Sequence, residues 1–431
     1  MKKLICLVTA ALVMLTAAVT ASAECESAQQ AVDNINVGWN LGNTFDCKGD
    51  WINGGVEAYE TAWGNPTVTR QLIQGVKAAG FGAIRLPVTW DAHVDGKGNI
   101  DKAWLDRVQQ VVDYILDEGL YCVLNVHHDG GGDGWLVASS ESVNGSAGTR
   151  FKGLWTGIAV RFKDYDERLI FESFNEVLDT NRSWTSSTTK DGYSALNKLN
   201  QIFVDAVRAT GGNNSTRNLM VQTYSAGSSD ITLRSFVLPK DTADGHLIVQ
   251  IHSYDPQGFT CTEATWTTMT DTWGSDDQIE TIEYLFDVLE DYSDSLGVPF
   301  VVGEFGAQSK NNDAARAQYA ALMVAEGAKA GVKCFWWDNG ADFRIINRTT
   351  GDVTSKKIVS ALVDNAQSSG NNAVLRGDAN GDGKVNSADA SAILKYSVGL
   401  GTVNMNAADF DGNGKVNAAD ASAVLRYCVG L

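Results

Sequence analysis

Eight short apolar runs of β-type residues, each followed by a helix-patterned stretch, constrain the fold of this chain more than any other feature. The runs are 36–44, 83–89, 121–127, 169–175, 219–223, 247–253, 299–304 and 332–337, with amphipathic stretches such as 67–79, 103–118 and 193–210 between them. Strands that alternate with helices pair in parallel, because the crossover helix returns the chain to the same end of the sheet. Eight such units in roughly 340 residues predict an α/β fold, a (β/α)8 TIM barrel with some loop insertions. A doubly wound open sheet competes, but it needs a Gly-rich phosphate loop after its first strand. Gly38-Trp-Asn-Leu-Gly-Asn43 puts a Trp where backbone would have to approach phosphate, so the barrel is preferred.

Two further regions flank this unit. Lys2 and Lys3 precede an almost wholly apolar run, 4–19, and Ala21-Ser22-Ala23 supplies small residues of the kind a signal peptidase accepts. Residues 1–23 are expected to be an export signal, and no later segment offers the ~20 continuous apolar residues of a membrane helix. At the other end, Asp378-Ala-Asn-Gly-Asp-Gly-Lys-Val-Asn-Ser-Ala-Asp389 recurs 31 residues later as Asp409-Phe-Asp-Gly-Asn-Gly-Lys-Val-Asn-Ala-Ala-Asp420. Each copy runs on into a helical stretch. A Ser/Gly/Asn-rich segment, 367–372, reads as a linker. The expected organisation is a signal peptide 1–23, a barrel 24–366, the linker 367–372 and a small domain 373–431. The mature protein is expected to be secreted, extracellular, free of the membrane and monomeric.

Charge and composition narrow the partners. A formal net charge of −18 repels nucleic acid and anionic membranes, so neither is expected, whereas a neutral polymer meets no such penalty. Twelve Trp and twelve Tyr offer flat faces that stack on sugar rings, beside those that only pack the core. Six cysteines remain after the signal, too few and too scattered for a disulfide scaffold. Cys25 and Cys47 could pair, while Cys122 and Cys334 lie in apolar runs that suit core positions.

Polar groups collect where the apolar runs stop, which is where a barrel projects its active-site side chains. The ends carry Asn40 and Asn43, Arg85, His127-His128-Asp129, Asn175-Glu176, His252-Ser253-Tyr254, Glu304 and Trp336-Trp337-Asp338. The fifth run is the exception. Glu304 closes a buried-type strand, where a carboxylate is costly without a role. Glu176 and Glu304, on runs four and seven, are placed to meet across the barrel. Hydrolysis of a glycosidic bond requires one carboxylic acid to protonate the leaving oxygen and one carboxylate opposite, ~5–5.5 Å apart for retention. His127-His128-Asp129 also raises a metal, but catalytic zinc wants three close ligands and no third match is placed near. No catalytic cofactor is expected.

At these residues the chain resembles glycoside hydrolase family 5, in its cellulase-like branch. The matching motifs are Gly38-Trp-Asn-Leu-Gly-Asn43, Ile84-Arg-Leu-Pro87, Asn125-Val-His-His128, Phe174-Asn-Glu176, His252-Ser-Tyr254, Gly303-Glu-Phe-Gly306 and Trp336-Trp-Asp-Asn339, with Trp63-Gly-Asn-Pro66 similar to the branch's first loop. The resemblance implies a retaining endo-β-1,4-glucanase acting on cellulose, xyloglucan or mixed-linkage glucan. A xylanase or mannanase on the same barrel, or a non-catalytic carbohydrate-binding component of a scaffold, are the alternatives. Glu176 then resembles the general acid/base, its pKa raised by the charge of Glu304, and Glu304 the nucleophile, kept ionised by Arg85 and Tyr254. Asn175 is expected to bond the sugar 2-OH. His127, His128 and His252 are expected to bond hydroxyls or tune Glu176, and Asn43 to line the cleft. Trp337 is the expected stacking floor; strand alternation turns Trp336 the other way.

The C-terminal repeat offers oxygen ligands at loop positions 1, 3, 5, 7, 9 and 12, with Gly at 6, the pattern of an EF-hand calcium loop. The first copy uses Asp378, Asn380, Asp382, the Lys384 carbonyl, Asn386 and Asp389. The second uses Asp409, Asp411, Asn413, the Lys415 carbonyl, Asn417 and Asp420. No convincing helix precedes Asp378, so loop-then-helix, twice, is similar to a type I dockerin. That resemblance implies two structural calcium ions and a cohesin partner on a scaffold protein, in the manner of a cellulosome. Ser387-Ala388 and Ala418-Ala419 stand at the partner-selecting positions.

Overall fold

The computed structural model describes residues 25–366 and, in the C-terminal part, 377, 379–380, 385–401, 403, 405–408, 410 and 415–428. The expected signal (1–23), the linker (367–372) and the calcium-loop residues Asp378, Asp382, Lys384, Asp409, Asp411 and Asn413 lie outside the described residues.

Eight parallel strands close a barrel in chain order. They are β1 Gly38–Leu41, β2 Ala83–Leu86, β3 Tyr121–Asn125, β4 Leu169–Glu172, β5 Leu219–Gln222, β6 Leu247–His252, β7 Phe300–Phe305 and β8 Lys333–Asp338. The barrel closes by pairing Asn40 with Trp337 and Leu41 with Asp338. β1 to β6 stop short of the predicted runs because the residues beyond leave the ladder to build the loops of the cleft. Crossover helices cover the outside. Thr69 caps the helix Arg70–Ala78 by accepting the Leu72 N–H, and Leu72, Ile73 and Val76 form its buried stripe. Asp101 caps Lys102–Asp117 in the same way, through Trp104 N–H.

Side-chain alternation sets the barrel interior. One inward layer holds Ala83, Val123, Ile170, Met220, Ile248, Val301 and Phe335, closed from below by Ala28, Ala31 and Val32 of the helix Ala28–Asn34. Two residues further along each strand the same face carries Asn40, Arg85, Asn125, Glu172, Gln222, Gln250, Gly303 and Trp337. An apolar plug therefore supports a polar layer, and that layer supports the cleft. Gly303 has no side chain for a packing reason: a Cβ there would lie 1.9 Å from the Gln250 amide.

In the C-terminal part, the helices Ser387–Ser397 and Ala418–Cys428 pack through Ala390, Ile393, Ala421 and Val424. Among the described residues, no helix is long and apolar enough to cross a membrane.

Candidate active site

Arg85 is the centre of the polar layer. Its guanidinium is fully buried and spends its donors on Glu172 (2.7 Å twice), Asn40 (2.9 Å), Asn175 (2.8 Å) and Glu304 (2.5 Å). Burial alone would lower its pKa, but Glu172 and Glu304 outweigh that and raise it, so it stays a cation. Glu304 also accepts the Tyr254 hydroxyl at 2.9 Å. Burial, followed by the Glu304 charge, pushes the Tyr254 phenol well above its usual range. Tyr254 is thus a permanent donor, and Glu304 holds two donors suited to a carboxylate.

Glu176 sits just beyond β4 at φ +48°, with 22% of its side chain exposed. One of its oxygens lies within 4.8 Å of a Glu304 oxygen, and His252 Nδ1 is 2.9 Å from Glu176 and 3.7 Å from Glu304. Burial raises the Glu176 pKa, but the hydrogen bond from His252 and its charge when protonated outweigh burial, with His128 and Arg85 adding to the same side. The net direction is down. The expected rise from the charge of Glu304 is thus not the net direction; His252, expected to bond hydroxyls or tune Glu176, is in direct contact with it and leads the opposing influences.

Hydrogen-bond accounting locates the protons. Gln250, turned so that its amide nitrogen faces Glu172, donates to both carboxylate oxygens (3.0 and 3.2 Å) and accepts from His252 Nε2–H at 3.0 Å. A carboxylate can only accept, so this orientation satisfies all three groups. With Nε2 protonated, the 2.9 Å contact between His252 Nδ1 and Glu176 holds one shared proton. His127 is fixed similarly: Nδ1 accepts from Asn125 at 3.0 Å, leaving Nε2–H as a donor. Burial, with neighbouring positive charges, holds its pKa far below the usual value.

Trp337 is partly exposed and lies parallel to the His127 ring, 5.9 Å away, whereas Trp336 is fully buried and donates to the Phe343 carbonyl. Trp337 thus faces the cleft and Trp336 packs behind it. Trp39 is also structural, buried with its Nε1 on Asp338. His128 faces the half-exposed Trp63 ring at 5.6 Å, and Asn43 turns the chain at φ +54° beside them. Asp129 leaves the cleft for the Trp90 N–H and the Trp135 Nε1–H, and burial pushes its pKa to about 6. The third group near the two histidines is instead Asp46, with one ligand atom from each of the three within 4.8 Å of the others. Beyond Glu176, a cleft section of about 690 Å³ is lined by Trp184, Ser225, His252, Tyr254 and the exposed Trp266. Cys25 and Cys47 are both free; Cys25 contacts the Thr216 carbonyl, while Cys47 is buried.

The expected site residues Asn43, Arg85, His127, His128, Asn175, Glu176, His252, Tyr254, Glu304 and Trp337 therefore converge on one end of the barrel. Glu172, Gln222 and Gln250 lie inside their apolar runs and are not among the strand-end candidates; Asn40 stands at a run's end and Asn125 in a matching motif, but neither is assigned a role from sequence. Their signal is a polar residue inside an apolar run, in step with the inward face.

In the C-terminal part, Asp389 and Asp420 are fully buried. Asp389 accepts from Asn380 and Asn386 N–H, and Asp420 from Asn417 N–H at 2.9 Å, so the two loops have matching ends. Buried carboxylates beside Asn side chains make an oxygen donor set that fits calcium.

A closed barrel with two glutamates facing across its mouth, one held by Arg and Tyr and the other by His, is the arrangement of a glycoside hydrolase. The chain belongs to glycosyl hydrolase family 5: the family's cellulase model matches residues 45–343, and the type I dockerin model matches residues 376–428. It is 37% identical over 353 residues to Endoglucanase A of Clostridium longisporum, covering 79% of this chain and 66% of that protein. It is 35% identical over 401 residues to the Cellulase/esterase CelE of Acetivibrio thermocellus, covering 86% and 46%. The chain thus spans less than two thirds of either relative. A GH5-4 broad specificity endoglucanase from Ruminococcus champanellensis, solved with cellotriose, superposes with a TM-score of 0.73 at 38% identity, covering 78% of this chain and 98% of that one.

Proposed function

We propose that the protein is a secreted, retaining endo-β-1,4-glucanase that a dockerin tethers to a cohesin-bearing scaffold. The observation that carries this reading is the close approach of Glu176 and Glu304 in unlike surroundings. Oxygens within 4.8 Å suit the short carboxylate separation of retention and leave no room for the water an inverting enzyme places between them. Relatives named endoglucanase support the β-glucan substrate.

In the proposed mechanism Glu304 attacks the anomeric carbon while Glu176 passes its proton to the leaving glycosidic oxygen. The resulting glycosyl–enzyme ester is opened by water, which Glu176, now a base, deprotonates. Arg85 and Tyr254 hold Glu304 ionised and aimed. Asn175, its oxygen fixed by Arg85, presents its amide N–H to the sugar 2-OH. His127 Nε2–H and His128 bond hydroxyls, Trp337 is the floor under the ring being cleaved, and Asn43 shapes that end of the cleft. Trp184 and Trp266 are placed for the leaving sugars.

The proposed domains are an export signal at 1–23, the barrel at 24–366, a linker at 367–372 and a dockerin at 373–431. Asn380, Asn386 and Asp389 of the first loop, and Lys415, Asn417 and Asp420 of the second, would help to hold two calcium ions. Calcium would order the loops and present the exposed Ser387-Ala388 and Ala418-Ala419 to the cohesin.

The test is reducing-sugar release from carboxymethylcellulose, mixed-linkage glucan, xyloglucan, xylan and mannan. Glu304→Gln should lose activity by about 10⁴-fold or more, and early products seen by NMR should be β-anomers. Activity confined to mannan or xylan would move the substrate, and α-anomers would end the retaining reading.

A further inference from the structure

We propose that Gln222 is a positioning residue for Glu176, through which β5 holds the acid/base in place; this rests on the acid/base reading above. β5 is the strand whose end supplies no side chain to the expected site. Gln222 closes it, is fully buried, and accepts the Glu176 backbone N–H on its side-chain oxygen at 2.6 Å. Glu176 has a left-handed backbone (φ +48°), which a residue with a Cβ adopts only when its surroundings over-determine it. Relaxation to a negative φ would swing its carboxyl out of the pair with Glu304.

Several contacts supply that over-determination, and β5 is behind most of them. The Gly131 N–H donates to the Glu176 carbonyl at 3.2 Å. The residues after Gln222 fasten the same loop further along. Ser225 N–H donates to the Val177 carbonyl, Asp179 N–H to the Tyr224 hydroxyl, and that hydroxyl to the Ser183 carbonyl. Gln222 is itself clamped by Asn200, on the helix Gly192–Arg208, which donates to its carbonyl at 2.9 Å and accepts its N–H at 3.3 Å. Asn200 accepts the Ser173 hydroxyl as well, so one side chain ties the exits of β4 and β5.

The amide nitrogen of Gln222 has no hydrogen-bond partner among the described residues. A Met or Leu would remove that unpaired donor but leave the Glu176 backbone N–H without its acceptor, so stability favours neither side clearly. What the Gln222 oxygen supplies that an apolar side chain cannot is the hold on the Glu176 backbone.

The experiment compares a cello-oligosaccharide, whose leaving group needs a proton, with 2,4-dinitrophenyl β-cellobioside, whose leaving group does not. Gln222→Met should lower kcat/KM on the oligosaccharide about 10²-fold and on the dinitrophenyl substrate less than about threefold. Azide, which needs no base, should restore kcat on the latter by opening the glycosyl–enzyme as a glycosyl azide. Gln222→Asn, which withdraws the acceptor by one methylene, serves if the first variant does not fold and should show the same split. An equal loss on both substrates, or no loss on either, overturns the proposal. Glu176→Ala is measured in parallel. If it lacks the same split, the acid/base reading itself falls and this proposal with it.

Discussion

A single proton shared between Glu176 and His252 concentrates the chemistry of this site. Burial pushes Glu176 toward the protonated form, and the contact with His252 pulls it toward the carboxylate. Removing His252 takes away the two largest influences that oppose burial and leaves only the smaller ones of His128 and Arg85. His252→Ala should therefore move the alkaline limb of the kcat/KM profile to higher pH, because that limb follows loss of the acid's proton, while kcat falls about tenfold or more. An alkaline limb that stays in place would show that His252 does not set the proton affinity. A second histidine has a consequence for stability instead. His93 stacks on Trp104 at 3.9 Å with its Nε2 buried and without a hydrogen-bond partner among the described residues, and burial lowers its pKa to about 4. The unfolded chain takes up this proton near pH 6.5 and the folded protein only near 4. The contribution of His93 is thus complete above pH 6.5 and is lost as pH falls through that window, at most about 3 kcal/mol. His93→Phe should flatten the fall in Tm between pH 6.5 and 4.

At the scale of the element, strand alternation places catalysis above a plug. β2 to β6 each send one apolar residue inward and, two positions on, a polar one, so Arg85, Glu172 and Gln250 are buried together and satisfy one another. Gly303 shows how tightly that layer is filled. In Gly303→Ala the new Cβ meets the Gln250 amide, which bridges Glu172 and His252. The variant should lose about 1–3 kcal/mol of stability and show a displaced alkaline limb; unchanged melting and an unchanged profile would mean that the layer repacks freely. The eight strands were legible because apolar runs of the right length recur between amphipathic helices. Glu172 and Gln222 were not, since a polar residue inside such a run is meaningful only once its neighbours across the barrel are known. β5 illustrates this. Its sequence ends without an obvious catalytic group, yet its exit holds the loop that carries Glu176.

For the whole molecule, a large barrel core contrasts with a C-terminal cluster that, among the described residues, comprises Ala379, Ala390, Ile393, Ala408, Ala421 and Val424, with Val385, Ala392, Val403, Phe410 and Val416 packed against it. On the proposed dockerin reading, calcium would supply much of this part's folding free energy, ~2.7 kcal/mol for each ion at a hundred times its Kd. Chelation should abolish a low-temperature calorimetric transition and cohesin binding, while the barrel's transition and its hydrolysis of soluble oligosaccharides persist. Loss of both transitions together would contradict that independence. The sequence by itself determined the barrel, the repeat and the two glutamates, because periodicity, internal repetition and polar residues at strand ends are local patterns. The tertiary structure alone decided that His252 rather than Glu304 is the contact governing Glu176, that Asp46 rather than Asp129 joins the histidines, and that Trp337 rather than Trp336 faces the cleft. Hydrogen bonds and electrostatics act over a few ångströms, and only barrel closure brings residues such as Glu176 and His252, 76 positions apart, or Arg85 and Glu304, 219 apart, within that reach.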